Sequence, residues 1–233
     1  MGGGHQERER LAFELDLHVH SAHSFDGLVS PRAVVERARR LGLSGMAITD
    51  HNTIRGGEEG RKANASNDFL VIVGMEVATD IGDVLGLFLR APIRSRRWQE
   101  CLHEIHEQGG VAILPHPCRH HSGLPIDLLE SVDGIEVRNG RDSEDVSQRL
   151  REQLARPHSL AELGGSDAHW SREIGRARTI VVAPALTGER INAAIQARQT
   201  VAVSCMCLGS RVETLATKAV KHGRRAYSRI ARH

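Results

Sequence analysis

The chain has 233 residues, a length that suits one domain or one domain with a small appendage. Hydrophobic residues make up 40% and aromatics only 3%, so Ala, Val, Leu and Ile must fill the core. A net charge of +2 with 26% charged residues singles out no partner class, and no apolar run approaches about 18 residues, so no transmembrane helix is expected.

Residues 1–10, "MGGGHQERER", are glycine-rich and then charged, without the apolar middle of a secretory signal, and are expected to form a disordered lead-in. "ELDLHVH" is the first strand. "SPRAVVERARRLG" is a helix with Ser30 as N-cap, Pro31 in the first turn and Gly42 as stop. "SGMAITD" is the next strand, and "FLVIVGMEVAT" and "DVLGLFL" form a hairpin across "DIGD". "SRRWQECLHEIHEQGG" is a helix ended by glycines, followed by the strands "VAILPHP" and "GIEVRNG". "SEDVSQRLREQLA" is helical, and "SLAELGGSDAH" carries a strand into a loop. "ARTIVVAP" and "TVAVSC" are strands with a helix over 188–198 between them. This alternation argues for an α/β barrel or layered sheet spanning residues 11–209.

The tail, residues 210–233, carries Arg211, Lys218, Lys221, Arg224, Arg225, Arg229 and Arg232 against one acid, Glu213. Two readings stand: a docked helix with a solvated basic face, or a contact for an anionic surface, lipid or nucleic acid. Cys101, Cys118, Cys205 and Cys207 show no paired spacing, so reduced thiols and a cytoplasmic setting are expected.

Histidine is the outlier: 14 is high for this length, so position must decide which of them carry chemistry. Strict alternation in "LDLHVH" puts Leu15, Leu17 and Val19 on one face and Asp16, His18 and His20 on the other. An Asp–His–His face is expensive to bury without partners, and two imidazoles at one strand end suit a divalent metal. The event repeats. "AITDHN" ends at His51, "GMEV" places Glu76 in an apolar run, "LPHP" ends at His116, and "GSDAH" ends at Asp167 and His169. In barrels of parallel strands the C-terminal strand ends form the active-site face.

In this order, "DLHVHS", "SFDG", "AITDHN", "GMEV", "LPHP" and "GSDAH" resemble the PHP (polymerase and histidinol phosphatase) superfamily, over about residues 13–205 and most closely its small TrpH-like phosphoesterases. The resemblance implies a distorted (β/α)7 barrel with a trinuclear metal centre at the strand ends. It makes His18, His20, Glu76 and Asp167 ligands of one metal, and Asp26, His51 and His169 ligands of a metal on the other flank. Glu76 would bridge to a third metal held also by His116. Many relatives carry a histidine seven or more residues after the glutamate. This chain offers Asp83, so both a trinuclear and a binuclear site stand.

Mixed His and carboxylate donors suit Mn²⁺, Fe²⁺ or Zn²⁺. Clustered ions about 3.5–4 Å apart share a hydroxide that attacks phosphorus while the metals offset charge on the non-bridging oxygens. The expected activity is phosphate-ester hydrolysis at a site whose catalytic groups are Glu76, Asp167 and His169. The substrate is a small phosphorylated molecule, a nucleotide or an oligonucleotide end. A PHP-type protein-tyrosine phosphatase and a metallohydrolase of carboxylic esters or amides are the alternatives. Phosphate needs cations beyond the metals, and Arg119 and Arg141 are the preferred contacts, with Arg55 and His23 as further candidates. Asp16 is expected to bond a ligand histidine or a strand-end amide, and Glu136 to answer Arg138 on the same strand face.

Overall fold

The computed structural model describes residues 11–119 and 124–204. The expected lead-in at 1–10, the basic tail at 210–233, Cys205 and Cys207 lie outside the described residues. The described residues form nine strands: β1 (Leu11–Val19), β2 (Gly45–Ile48), β3 (Leu70–Thr79), β4 (Gly82–Leu87), β5 (Val111–Leu114), β6 (Gly134–Asn139), β7 (Ala161–Gly165), β8 (Ala177–Ala183) and β9 (Thr200–Ser204). The helices are α1 (Pro31–Arg40), α2 (Arg55–Ala63), α3 (Trp98–Glu107), α4 (Ile126–Ser131), α5 (Glu144–Leu150), which continues as a π-helical turn (Arg151–Ala155), and α6 (Gly188–Gln196).

All nine strands belong to one sheet in the order β7-β6-β5-β4-β3-β2-β1-β8-β9. β1–β2, β2–β3, β5–β6 and β6–β7 pair in parallel, while the β3–β4 hairpin, β4–β5, β1–β8 and β8–β9 are antiparallel. These antiparallel insertions distort the barrel. The sheet curls until its ends meet. The Thr179 hydroxyl donates to the Gly164 carbonyl oxygen and accepts from the Gly164 N–H, each at 2.8 Å. At the opposite end of β1, Asp167 N–H donates to the His18 carbonyl and His20 N–H to the Ala168 carbonyl, both at 2.8 Å. The fold is therefore a nearly closed, distorted α/β barrel.

Two helix ends repeat one device. After α1, Gly42 N–H reaches the Arg39 carbonyl and Leu43 N–H the Ala38 carbonyl. After α3, Gly109 and Gly110 bond back to His106 and Ile105 in the same way. Gly42 and Gly109 sit at φ 75° and 71°, the left-handed conformation this cap requires. At the start of α1 the Ser30 hydroxyl accepts from Ala33 N–H, as its N-cap position predicts.

Leu15, Leu17, Leu85, Leu87, Ile113 and Leu163 pack together inside the barrel. Val34, Val35 and Ala38 of α1 join Met46, Ile48 and Val71 outside it, and Val19 belongs to that second cluster. Strict alternation along β1 is therefore broken: the β1–β2 register shifts between Asp16 and Val19. A second shift separates Glu136 from Arg138 in β6, so these two do not answer each other. Arg138 pairs instead with Glu144. Both irregularities lie in strands that carry the site.

Helix α2, "RGGEEGRKA", carries no sequence signal for a helix, because Gly56, Gly57 and Gly60 are poor helix formers. They are also its buried residues, and their lack of a side chain lets the helix lie directly on the sheet. A Cβ on Gly56 would fall 1.8 Å from Asp50 Oδ2 and 2.4 Å from Ser21 Oγ. Gly56→Ala is expected to lower stability by about 1–3 kcal/mol, read by urea denaturation, because the atoms in its way are held by buried hydrogen bonds.

His106 of α3 places Nε2 2.9 Å from Asp133 Oδ2, which also accepts the Ala112 N–H at 2.7 Å. The bond to Asp133 raises the His106 pKa above its usual value of 6.5, against a smaller opposing effect of partial burial. The histidine side chain is 40% exposed, so solvent screening keeps its contribution below about 1 kcal/mol. That contribution is complete below the unfolded-state value and fades as pH rises through the raised folded-state value. The stability gap between wild type and His106→Asn should be widest near about pH 6 and shrink towards about pH 9. A gap that widens with pH would contradict it.

Candidate metal centre

The strand ends and one hairpin deliver the site. His18 and His20 stand at the end of β1, with Asp26 in the loop beyond; His51 follows β2. β3 runs past Val73, which pairs with Ile48 at the end of β2, and so carries Glu76 up to the rim. Asp83 enters from β4 opposite Ala78, His116 follows β5, and Asp167 and His169 follow β7.

Among the described residues three groups of donor atoms result, each drawn within 4.8 Å of one another: His20, Asp26, His51 and His169; His18, His20 and Glu76; and Glu76, Asp83 and His116. Glu76 is central. Its Oε1 lies 2.9 Å from His116 Nε2, and its Oε2 lies 3.1 Å from His51 Nδ1, 3.3 Å from His20 Nε2 and 3.6 Å from His18 Nε2. Asp26 Oδ2 lies 3.2 Å from His169 Nε2 and 3.4 Å from His51 Nε2. Asp167 Oδ1 lies 3.5 Å from His20 Nε2 and 3.7 Å from His18 Nε2. The Nε2 atoms of His18 and His20 are 3.1 Å apart.

The cluster rests on a buried polar frame. Ser24 Oγ lies 3.1 Å from His20 Nδ1 and accepts the His51 N–H at 2.9 Å. Glu173 Oε2 accepts the N–H groups of His169 and Trp170 at 2.7 and 3.0 Å. Asp16 accepts from Ser166 N–H at 2.9 Å and Gly175 N–H at 2.8 Å. It thus holds strand-end amides rather than a histidine ring. Asn52, His116 and Asp167 have φ of 57°, 27° and 52°. Backbone strain of this kind typically costs about 1–3 kcal/mol per residue and gathers where a site over-determines the chain.

Charge follows from these contacts. Burial works to raise the Glu76 pKa, but the imidazoles of His51 and His18 and the His116 hydrogen bond hold it well below the usual carboxylate range. Asp167 is also pushed up by burial, and Arg141, His18, His20 and Arg119 together pull it far lower. Asp26 is lowered by His169 and His51 against the same penalty. Burial and the neighbouring His169 lower His20 to about 3. For His18 burial opposes charge, but Glu136, Glu76 and Asp167 surround it and raise its pKa well above normal. The ionised carboxylates and the neutral His20 are in the states a divalent cation requires, whereas His18 would give up a proton as the cation binds. The donor set, imidazole nitrogens with carboxylate oxygens, fits Mn²⁺, Fe²⁺ or Zn²⁺.

Arg119 Nη1 lies 3.2 Å from Asp167 Oδ2, and its Nε 3.4 Å from Asp142. Arg141 places Nη2 2.9 Å from His169 Nδ1 and 3.4 Å from Glu173. Both guanidiniums therefore stand beside the cluster. His23 Nε2 turns to Glu59 on α2 at 2.8 Å, and Arg55 is exposed at the first turn of that helix. The residues that sequence reasoning missed are Ser24, Glu136 and Glu173. Only Glu136 carried a signal, a lone acid in the apolar run "GIEV".

A curled sheet whose strand ends gather imidazoles and carboxylates defines a candidate metal centre on an α/β barrel. The chain belongs to the PHP family. The PHP domain model matches residues 16–119, and the PHP-associated model matches residues 147–200. An uncharacterised protein of Methanocaldococcus jannaschii is 37% identical over 139 residues, which cover 53% of this chain and 80% of that protein. A two-domain Bacteroides vulgatus protein containing a predicted PHP-like metal-dependent phosphoesterase shares the fold at a TM-score of 0.72 and 24% identity, over 86% of this chain and 70% of the other. The lesion-specific endonuclease Q of Pyrococcus furiosus shares it at a TM-score of 0.60 and 17% identity, over 80% of this chain and 56% of the other. Another endonuclease Q structure holds a 27-mer duplex with an abasic lesion at its active site.

His18→Ala and Asp167→Ala should each lose bound metal, measured by elemental analysis after loading with Mn²⁺ or Zn²⁺, and nearly all hydrolysis. A variant with full metal content would remove that residue from the ligand set.

Proposed function

We propose that this protein is a metal-dependent phosphoesterase acting on a small phosphorylated molecule, a nucleotide or an oligonucleotide end. Two or three divalent ions, Mn²⁺, Zn²⁺ or Fe²⁺, are held by His18, His20, Asp26, His51, Glu76, Asp83, His116, Asp167 and His169. When bound, they supply an acidified water and offset negative charge on the phosphoryl oxygens.

The observation that carries the reading is the pair Arg119 and Arg141. Two guanidiniums converge on Asp167 and His169 at the edge of the donor cluster, 3.2 Å and 2.9 Å away. A neutral ester has no use for them, whereas a phosphate monoester carries charge beyond what the metals contact, and guanidinium forks match its oxygens. Arg119 is held by Asp142 and Asp167, and Arg141 by Glu173, so both cations are oriented before substrate arrives. Glu76, Asp167 and His169 face the reacting phosphate as ligands and orienting groups. The DNA held by endonuclease Q supports keeping oligonucleotide ends among the substrates.

Protein loaded with Mn²⁺, Zn²⁺ or Fe²⁺ should turn over members of a panel of nucleotide 5′- and 3′-phosphates, sugar phosphates and phosphotyrosine peptides, and lose that turnover with chelator. Arg119→Ala and Arg141→Ala should raise KM for the best phosphate ester by roughly ten- to a hundredfold, the loss of one or two charged hydrogen bonds. Turnover confined to carboxylic esters or amides would overturn the proposal.

A further inference from the structure

His18, His116 and Arg141 follow or end different strands, yet all three are tied to one side chain. Glu136 of β6 is 2% exposed and belongs to none of the three donor groups. Its Oε1 lies 3.2 Å from His18 Nδ1, across 118 residues of sequence. Its Oε2 accepts the His116 backbone N–H at 2.9 Å and Asn139 Nδ2 at 2.8 Å. Asn139 Oδ1 in turn accepts the Arg141 backbone N–H at 2.9 Å. Close approach is built in. A Cβ on Gly165 would fall 2.5 Å from Glu136 Oε1 and 2.4 Å from His18 Cβ, so only glycine leaves room for the pair to meet.

We infer that Glu136 is a positioning residue with two arms, one keeping a proton on His18 Nδ1 so that Nε2 presents its lone pair to the cluster, the other setting the Asn139–Arg141 segment that faces the anion. The inference rests on the metal-centre reading above. All three partners of Glu136 are donors, and a carboxylate can accept at both oxygens. A glutamine of the same shape cannot. The Oε2 side meets two donors, a backbone N–H and the Asn139 amide, so the glutamine oxygen belongs there and its NH₂ turns towards His18. His18 must then accept on Nδ1 and carry its proton on Nε2, the nitrogen that faces His20, Glu76 and Asp167. A proton at that position competes directly with a cation. A carboxylate behind a ligand imidazole also makes the ring a stronger donor.

The test is Glu136→Gln beside wild type, with Zn²⁺ and Mn²⁺ affinities measured by chelator competition, metal-free Tm, and turnover as a function of metal concentration. The variant should bind metal roughly ten- to a hundredfold more weakly, keep a metal-free Tm close to wild type, and recover turnover as metal is raised. A residue that merely holds the fold would lose Tm and show no recovery. Asn139→Ala separates the second arm: metal affinity should stay at the wild-type value while KM for the phosphate ester rises. A folded Glu136→Gln protein with wild-type affinity overturns the first arm, as does turnover that excess metal fails to restore. An Asn139→Ala protein with unchanged KM overturns the second. Wild-type protein that takes up neither metal overturns the metal-centre reading beneath both, a result distinct from a wild type that binds and a variant that binds equally well.

Discussion

Glu76 is a carboxylate with 1% of its surface exposed, and four imidazoles stand 2.9 to 3.6 Å from its two oxygens. An isolated ionised group there would cost many kcal/mol, so the rim must answer it with donors or cations. His18, His20, His51 and His116 do so, from three different strands. That requirement fixes the relative height of the strands more tightly than packing of Val and Leu could, since apolar contacts tolerate small slips and a charge at 3 Å does not. The segment after β2 follows the same constraint: where β3 lifts Glu76 above β2, Glu76 N–H donates to the Thr49 and Asp50 carbonyls and its own carbonyl accepts from Asn52 N–H, while antiparallel β4 flanks it with Leu85 opposite.

Closing the ring carries its own requirements. β1 and the segment after β7 exchange backbone hydrogen bonds at His18, His20, Asp167 and Ala168, so the residues that close the barrel flank the ones that carry the chemistry. Gly164 and Gly165 sit where no side chain fits. A Cβ on Gly164 would fall 2.4 Å from the Arg178 carbonyl oxygen. The pair "GG" before "SDAH" therefore serves closure at the first glycine and the Glu136–His18 contact at the second.

Most of the strand order along the chain, the hairpin, both glycine-capped helices and the donor residues were legible because each announces itself locally. Apolar runs ending in His or Asp, Ser-Pro before an amphipathic stretch, and glycine after one are short-range signals. What stayed hidden was non-local or contradicted a local rule. Helix α2 is built from three glycines whose benefit, contact with the sheet, appears only once the sheet exists. Glu136 was visible as an acid in an apolar strand, but alternation assigned it to Arg138. The register shift between them and a partner 118 residues away could not be read from spacing. The same limit applies to β1, where alternation grouped Val19 with Leu15 and Leu17 although the shift after Asp16 sends it to the other core. His23 has a partner of its own in Glu59 of α2, a contact that its place in the sequence does not announce.

Asp167 joins the two halves of the site. Oδ1 faces His18 and His20 while Oδ2 faces Arg119 and Arg141, so one carboxylate is shared between the donor cluster and the two guanidiniums. Sharing makes the two halves interdependent. A cation drawing on Oδ1 withdraws charge from the oxygen that holds the arginines and leaves their guanidiniums more available to an incoming anion. An anion on the arginines in turn relieves Asp167 of its competing positive neighbours and makes it a better donor. Neither effect needs backbone movement, because Arg119 stays held by Asp142 and Arg141 by Glu173. Under the proposed phosphoesterase reading, this geometry favours occupation of both halves together over either alone.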